Sequence, residues 1–88
     1  MIRKHVIVHG TVQGVGFRYW TRAEAQRLGV TGWVRNRLDG TVEAELEGPE
    51  TDVGTMIDWL RRGPSYAAVS GLDAQDIEFR GDSEFVVL

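Results

Sequence analysis

Residues 10–18 read Gly10-Thr11-Val12-Gln13-Gly14-Val15-Gly16-Phe17-Arg18, between an apolar alternating run and a helical pattern. Glycines at these positions open backbone conformations closed to other residues and let a ligand approach the main chain. Successive N–H groups in such a loop can form a concave anion site. The helix that follows adds its own free N–H groups and the positive end of its dipole. Arg18 supplies a planar fork that matches phosphate bidentately. It falls in the first turn of the expected helix, where a cation is unfavourable by roughly 0.3–1 kcal/mol. An anion held between Arg18 and the helix end would reverse that repulsion. Arg22 follows one turn later. The residues alone leave a second reading open, a tight turn beside a solvated arginine.

Upstream, residues 2–9 read as a strand with Val6 and Val8 on one face and His5, Ile7 and His9 on the other. Lys4 interrupts the apolar face near the edge. Two histidines with no third ligand make a poor metal site and are read as solvated. Downstream, residues 17–28 form a helix whose Phe17, Thr21, Ala25 and Leu28 share a stripe, with Trp20 beside it. Tyr19 and Trp20 are read as core aromatics. Gly29 is the expected left-handed stop.

The remaining strands fall at 30–38 and 41–47, joined by the Leu38-Asp39-Gly40 turn that marks a hairpin. Val42, Ala44 and Leu46 alternate with Glu43, Glu45 and Glu47, so one face is buried and the other is read as a solvated acidic row. Gly48-Pro49 opens a second helix, with proline at its first position. Val53, Met56, Ile57 and Leu60 form its core stripe, and Gly63-Pro64 ends it. A strand over 67–79 follows, bulged around Gly71, and residues 85–88 make a short last strand. The order β-α-β-β-α-β predicts an α+β, ferredoxin-like sandwich: an antiparallel sheet, two helices on one face and an extra C-terminal strand.

Eighty-eight residues make one domain, 1–88, near the lower limit for an unstapled core. With no cysteine the chain has no disulfide, thiolate metal site or thiol nucleophile. No apolar run approaches the roughly 18 residues of a membrane span, and the N-terminus lacks a signal-peptide pattern. A cytoplasmic protein is expected. The net charge of −3 is divided unevenly. Residues 1–38 carry seven basic residues and one acid; residues 39–88 carry three and twelve. Interleaving of the halves would neutralise most of this, leaving a focusing field only around Arg18.

Two phosphate motifs are excluded. A Walker A loop ends Gly-Lys-Ser/Thr, and this loop ends Gly16-Phe17-Arg18. The dinucleotide fingerprint needs a third glycine where Tyr19 stands. The loop instead resembles the signature of the acylphosphatase family, Val12-Gln13-Gly14-Val15-Gly16-Phe17-Arg18, without a mismatch. The second family signature is matched by Gly32-Trp33-Val34-Arg35-Asn36 with Asp39-Gly40-Thr41-Val42-Glu43, and a weaker third by Gly63-Pro64 with Ala68-Val69. The resemblance covers essentially the whole chain.

It implies hydrolysis of acyl phosphates to a carboxylate and inorganic phosphate. Arg18 would bind the phosphoryl group and Asn36 would orient the attacking water. The N–H groups of Val15, Gly16, Phe17 and Arg18 would form the cradle, with Gln13 and Gly14 shaping it and Thr41 steadying Asn36. On its own residues Asn36, the chain's only asparagine, reads equally as a turn residue. Its amide is neutral and cannot act as a general base. That suits a carboxyl–phosphate anhydride, whose carboxylate leaves without an acid or metal. No cofactor, metal or nucleic acid is expected, and a monomer suffices.

The chain departs from the family at its end, Phe85-Val86-Val87-Leu88, where several members carry a basic or aromatic residue supporting the loop. Two alternatives remain. One is a non-catalytic module that binds acyl or carbamoyl phosphate or serves maturation, as the same signature within larger enzymes implies. The other is RNA binding, which the glutamates of the third strand disfavour.

Overall fold

The computed structural model describes residues 1–88. In chain order the elements are β1 (Ile2–Thr11), α1 (Phe17–Leu28), β2 (Thr31–Asn36), β3 (Val42–Gly48), α2 (Glu50–Arg62), β4 (Ala68–Ile77) and β5 (Phe85–Val87). They build one sheet in the order β4-β1-β3-β2-β5. β3 lies antiparallel to both β1 and β2, and β4 lies antiparallel to β1. The helices touch each other and pack on one face, α1 over β2 and β5, α2 over β1, β3 and β4. This is the expected ferredoxin-like α+β plan.

The sheet is mixed, however, not wholly antiparallel. β5 pairs with β2 in parallel, Gly32 opposite Phe85 and Val34 opposite Val87. The chain's path dictates it. β4 finishes at Ile77 opposite Arg3, where β1 begins. β1 and β2 run in the same direction, both antiparallel to β3. A chain that crosses the sheet at that end enters the free edge of β2 running alongside it.

The core follows the two periodicities of the sequence. Val6, Val8, Val34, Val42, Ala44 and Leu46 from the sheet meet Phe17, Thr21 and Ala25 of α1 and Val53, Met56 and Leu60 of α2, all buried. Burial of each larger apolar side chain contributes about 1.5–3 kcal/mol. The strands differ from expectation only at their ends, and the bulge sits beside Gly71: His9 pairs with Gly71 and Gly10 with Val69, leaving Ser70 unpaired. Pro49 stands at the N-cap of α2, φ −56° and ψ 142°, one residue before the first helical turn.

Two expectations are corrected. The glutamates of β3 are not a solvated row. Glu43 meets His5 at 2.7 Å and Arg35 at 2.6 Å, and Glu45 meets the Arg3 guanidinium at 2.7 Å. Glu47 is buried: it takes Arg3 at 3.1 Å and accepts main-chain N–H bonds from Arg80, Gly81 and Asp82 at 2.7, 3.0 and 3.0 Å. Arg3, also buried, reaches Asp82 at 3.0 Å. This cluster ties the crossing between β4 and β5 onto the sheet. Burial raises the Glu47 pKa, but the Arg80 N–H, Arg3 and the Gly81 N–H outweigh it and hold the carboxyl below its ordinary range. His9 is likewise paired, with Asp73 at 2.9 Å.

Tyr19 and Trp20 are not in the core. They are 67% and 50% exposed, packed edge-to-face with ring centroids 5.0 Å apart. The buried face of α1 is the narrow stripe of Phe17, Thr21 and Ala25, and Trp20 lies over the loop beside Gly16.

Candidate active site

The loop between β1 and α1, the end of β2 and the end of β5 meet at the same end of the sheet, opposite the Arg3–Glu47 cluster. A left-handed backbone shapes the loop: Gly14 has φ 74° and Gly16 φ 77°, with no positive φ at Val15 between them. Alternation of this kind turns successive N–H groups toward one point. The N–H groups of Val15, Gly16, Phe17 and Arg18 donate to no acceptor within the chain. Gly16 is also the N-cap of α1, which has no side-chain cap and no acid in its first turn. The positive end of the helix therefore stays unneutralised by the protein.

Arg18, half-buried, donates from Nη1 to the main-chain oxygen of Leu88 at 3.0 Å. The parallel course of β5 brings that oxygen here, and Leu88 N–H bonds Val34 at 2.8 Å. At this end of the chain it is the main chain, not a side chain, that meets Arg18. Asn36 closes β2, and its Oδ1 is buried without a hydrogen-bond partner in the protein. A buried, unpaired acceptor costs about 1–3 kcal/mol, so such atoms mark places where a donor binds.

Gln13 does something the sequence did not disclose. Its Nε2 donates to the main-chain oxygens of Arg37 at 2.7 Å and Thr41 at 3.0 Å, bridging the loop to the mouth of the β2–β3 hairpin. Thr41 makes no hydrogen bond to Asn36. Its hydroxyl and N–H both donate to Asp39 Oδ1, at 2.6 and 3.0 Å, closing the hairpin turn. The Thr41 hydroxyl, then its N–H, hold the Asp39 carboxyl below its ordinary pKa.

Gly14, Gly16, Arg18 and Asn36 line one cavity of about 390 Å³ with Tyr19, Arg22 and Val87. No acidic residue faces it. A larger depression of about 640 Å³ runs along β1, β4 and Arg61, away from the loop. Tyr19 and Val87 were not read from the sequence as lining residues. Tyr19 sits one residue past Arg18 at a spacing that reads as core, and Val87 arrives only through the pairing of β5.

The Acylphosphatase family model matches residues 4–87. The chain belongs to the acylphosphatase family. An acylphosphatase of Rhizobium etli is 57% identical over 70 residues, 80% of this chain and 74% of that one. The crystal structure of acylphosphatase from Bacillus subtilis superposes with a TM-score of 0.97 at 35% identity, covering 100% of this chain and 99% of that chain. HypF of T. kodakarensis, a longer protein, contains a similar part: TM-score 0.86, 31% identity, 100% of this chain against 12% of that one. Family membership makes the chain an enzyme of the acylphosphatase type.

Proposed function

We propose that the chain performs its family's reaction, hydrolysis of an acyl phosphate to a carboxylate and inorganic phosphate, with Arg18 and the loop N–H groups holding the phosphoryl oxygens and Asn36 orienting water. One observation carries this division of labour. Asn36, whose Oδ1 is buried and has no partner in the protein, lines the same cavity as Arg18, Gly14 and Gly16. An acceptor there receives a hydrogen bond from water without removing its proton and leaves an oxygen lone pair for phosphorus; the water's proton passes to a phosphoryl oxygen as inorganic phosphate forms. The bond from water to phosphorus forms as the bond to the acyl oxygen breaks, and the electron pair leaves on a carboxylate whose acid has a pKa of about 4. Positioning and electrostatics supply the rest. Gln13 aligns the hairpin bearing Asn36 with the cradle. We take the protein to be a monomer acting on small-molecule acyl phosphates in the cytoplasm.

The test is hydrolysis of benzoyl phosphate by the pure protein with chelator present, beside Asn36→Ala and Arg18→Gln. Asn36→Ala is expected to lower kcat about 10²–10³-fold while inhibition by inorganic phosphate persists. Arg18→Gln is expected to weaken that inhibition. Equal loss of phosphate inhibition in both variants would refute the division. The likeness to part of HypF favours a second reading, a module that binds acyl or carbamoyl phosphate without turning it over. Phosphate binding with no hydrolysis by the wild type would select it.

A further inference from the structure

The seven basic residues of the first 38 separate into two groups in the fold. Arg3, Lys4, Arg27, Arg35 and Arg37 each meet a carboxylate. Arg18 and Arg22 meet none, and both line the cavity. The one acid in the same turns of α1, Glu24, is committed to Arg27 at 2.9 Å. Arg22 is therefore an exposed guanidinium without a hydrogen-bond or ion-pair partner, facing a cavity with no acid in its wall.

The phosphoryl group does not account for it. The cradle and Arg18 already offer that group free N–H donors and one guanidinium. Arg22 lies one helical turn further on, about 6 Å along the axis. A group at that distance from phosphorus belongs to the acyl part of the substrate, several bonds from the reacting centre. Tyr19 lines the same cavity and offers a flat apolar surface for the intervening atoms.

Building on the proposed site, we infer that the enzyme prefers acyl phosphates whose acyl part carries a second anionic group, which Arg22 binds. Arg22 is a specificity residue in this scheme and takes no part in the bond changes. Its contribution falls on KM more than kcat, because a remote group changes little between ground and transition state.

Benzoyl phosphate and 4-carboxybenzoyl phosphate form a matched pair that differs only in a distal carboxylate. The wild type is expected to favour the carboxylate by about fivefold in kcat/KM, the upper size of an exposed charge pair. Arg22→Gln is expected to bring the ratio to about one, and Arg22→Lys to retain part of it. A ratio near one in the wild type would overturn the inference, as would a ratio that Arg22→Gln leaves unchanged. Benzoyl phosphate left intact by the wild type would overturn the catalytic reading beneath it, a distinguishable failure.

Discussion

Replacing Gln13 with methionine separates alignment from binding. The side chain donates two hydrogen bonds, at 2.7 Å to Arg37 and 3.0 Å to Thr41. Each contributes about 0.5–1.5 kcal/mol. Arg37 is exposed and its carbonyl rehydrates, while the Thr41 oxygen keeps its bond from Arg37 N–H at 2.9 Å. The loss in stability is therefore about 1–2 kcal/mol, or roughly 5–15 °C in Tm for a domain of this size. The kinetic effect is larger. Gln13 is the only side chain bonding the loop to the hairpin that carries Asn36. Displacement of about 1 Å between water and phosphorus costs up to about 10² in rate.

Gln13→Met is thus expected to lower kcat about 10–100-fold. The inhibition constant for inorganic phosphate should move less than about threefold, because the loop N–H groups and Arg18 are untouched. Initial-rate hydrolysis of benzoyl phosphate with phosphate as competitive inhibitor measures both. Parallel losses in kcat and phosphate affinity would refute the reasoning and make Gln13 part of the cradle itself. Gln13→Glu sharpens the test. A carboxylate facing two carbonyl oxygens repels them, and its protonation restores one donor, so activity should recover partly as the pH falls.

Other expectations concern the two ends of the sheet. Glu43 and Glu47 are both held below the ordinary carboxylate pKa, so their contribution is complete above about pH 5 and is lost as the pH falls through their folded values; urea midpoints across pH 2–7 should show that acid limb. Glu47→Gln removes one of the three carboxylates around Arg3 and should cost about 1.5–3 kcal/mol and flatten the limb; an unchanged limb would place the acid sensitivity elsewhere. Gly16→Ala has room, its new carbon 3.5 Å from Trp20, but requires φ 77° of an L-residue. That strain of about 1–2 kcal/mol should lower Tm and weaken phosphate inhibition together, and an unchanged Tm would argue against the left-handed loop.

What could be read in advance was local. Apolar stripes in residues 17–28 and 50–62, alternation in residues 42–46 and the Asp39-Gly40 turn each specify an element within a few residues. So does the glycine spacing of the loop, which is why its left-handed turns at Gly14 and Gly16 were legible. The missing parts depend on sequence separation. Arg3 meets Glu47 across 44 positions, and Gln13 meets Thr41 across 28. Nothing near Arg3 signals that a charged residue at the start of a strand will be buried, since its cover arrives from residues 80–82. The acidic row was misjudged for the same reason. Alternation shows which face a glutamate takes, but register alone sets Arg3, His5 and Arg35 against it.

Those pairings also explain why an acidic protein can hold an electropositive cavity. The basic first half and acidic second half come together through β1, β2 and β3, whose antiparallel register sets Arg3 against Glu45 and Glu47, and Arg35 against Glu43. Partners so placed neutralise each other within a few ångströms, well inside the screening length of about 8 Å. Their field does not extend to the far end of the sheet. There the chain leaves Arg18, Arg22 and the start of α1 with no acidic side chain to oppose them. An overall charge of −3 thus says little about the ligand, because the sheet cancels most charge along its length and leaves the remainder where the strands end. The parallel β5 belongs to the same arrangement. Anchored by Glu47 at one end of the sheet, it delivers the Leu88 oxygen to Arg18 at the other. The acid cluster far from the cavity thereby helps hold the arginine that lines it.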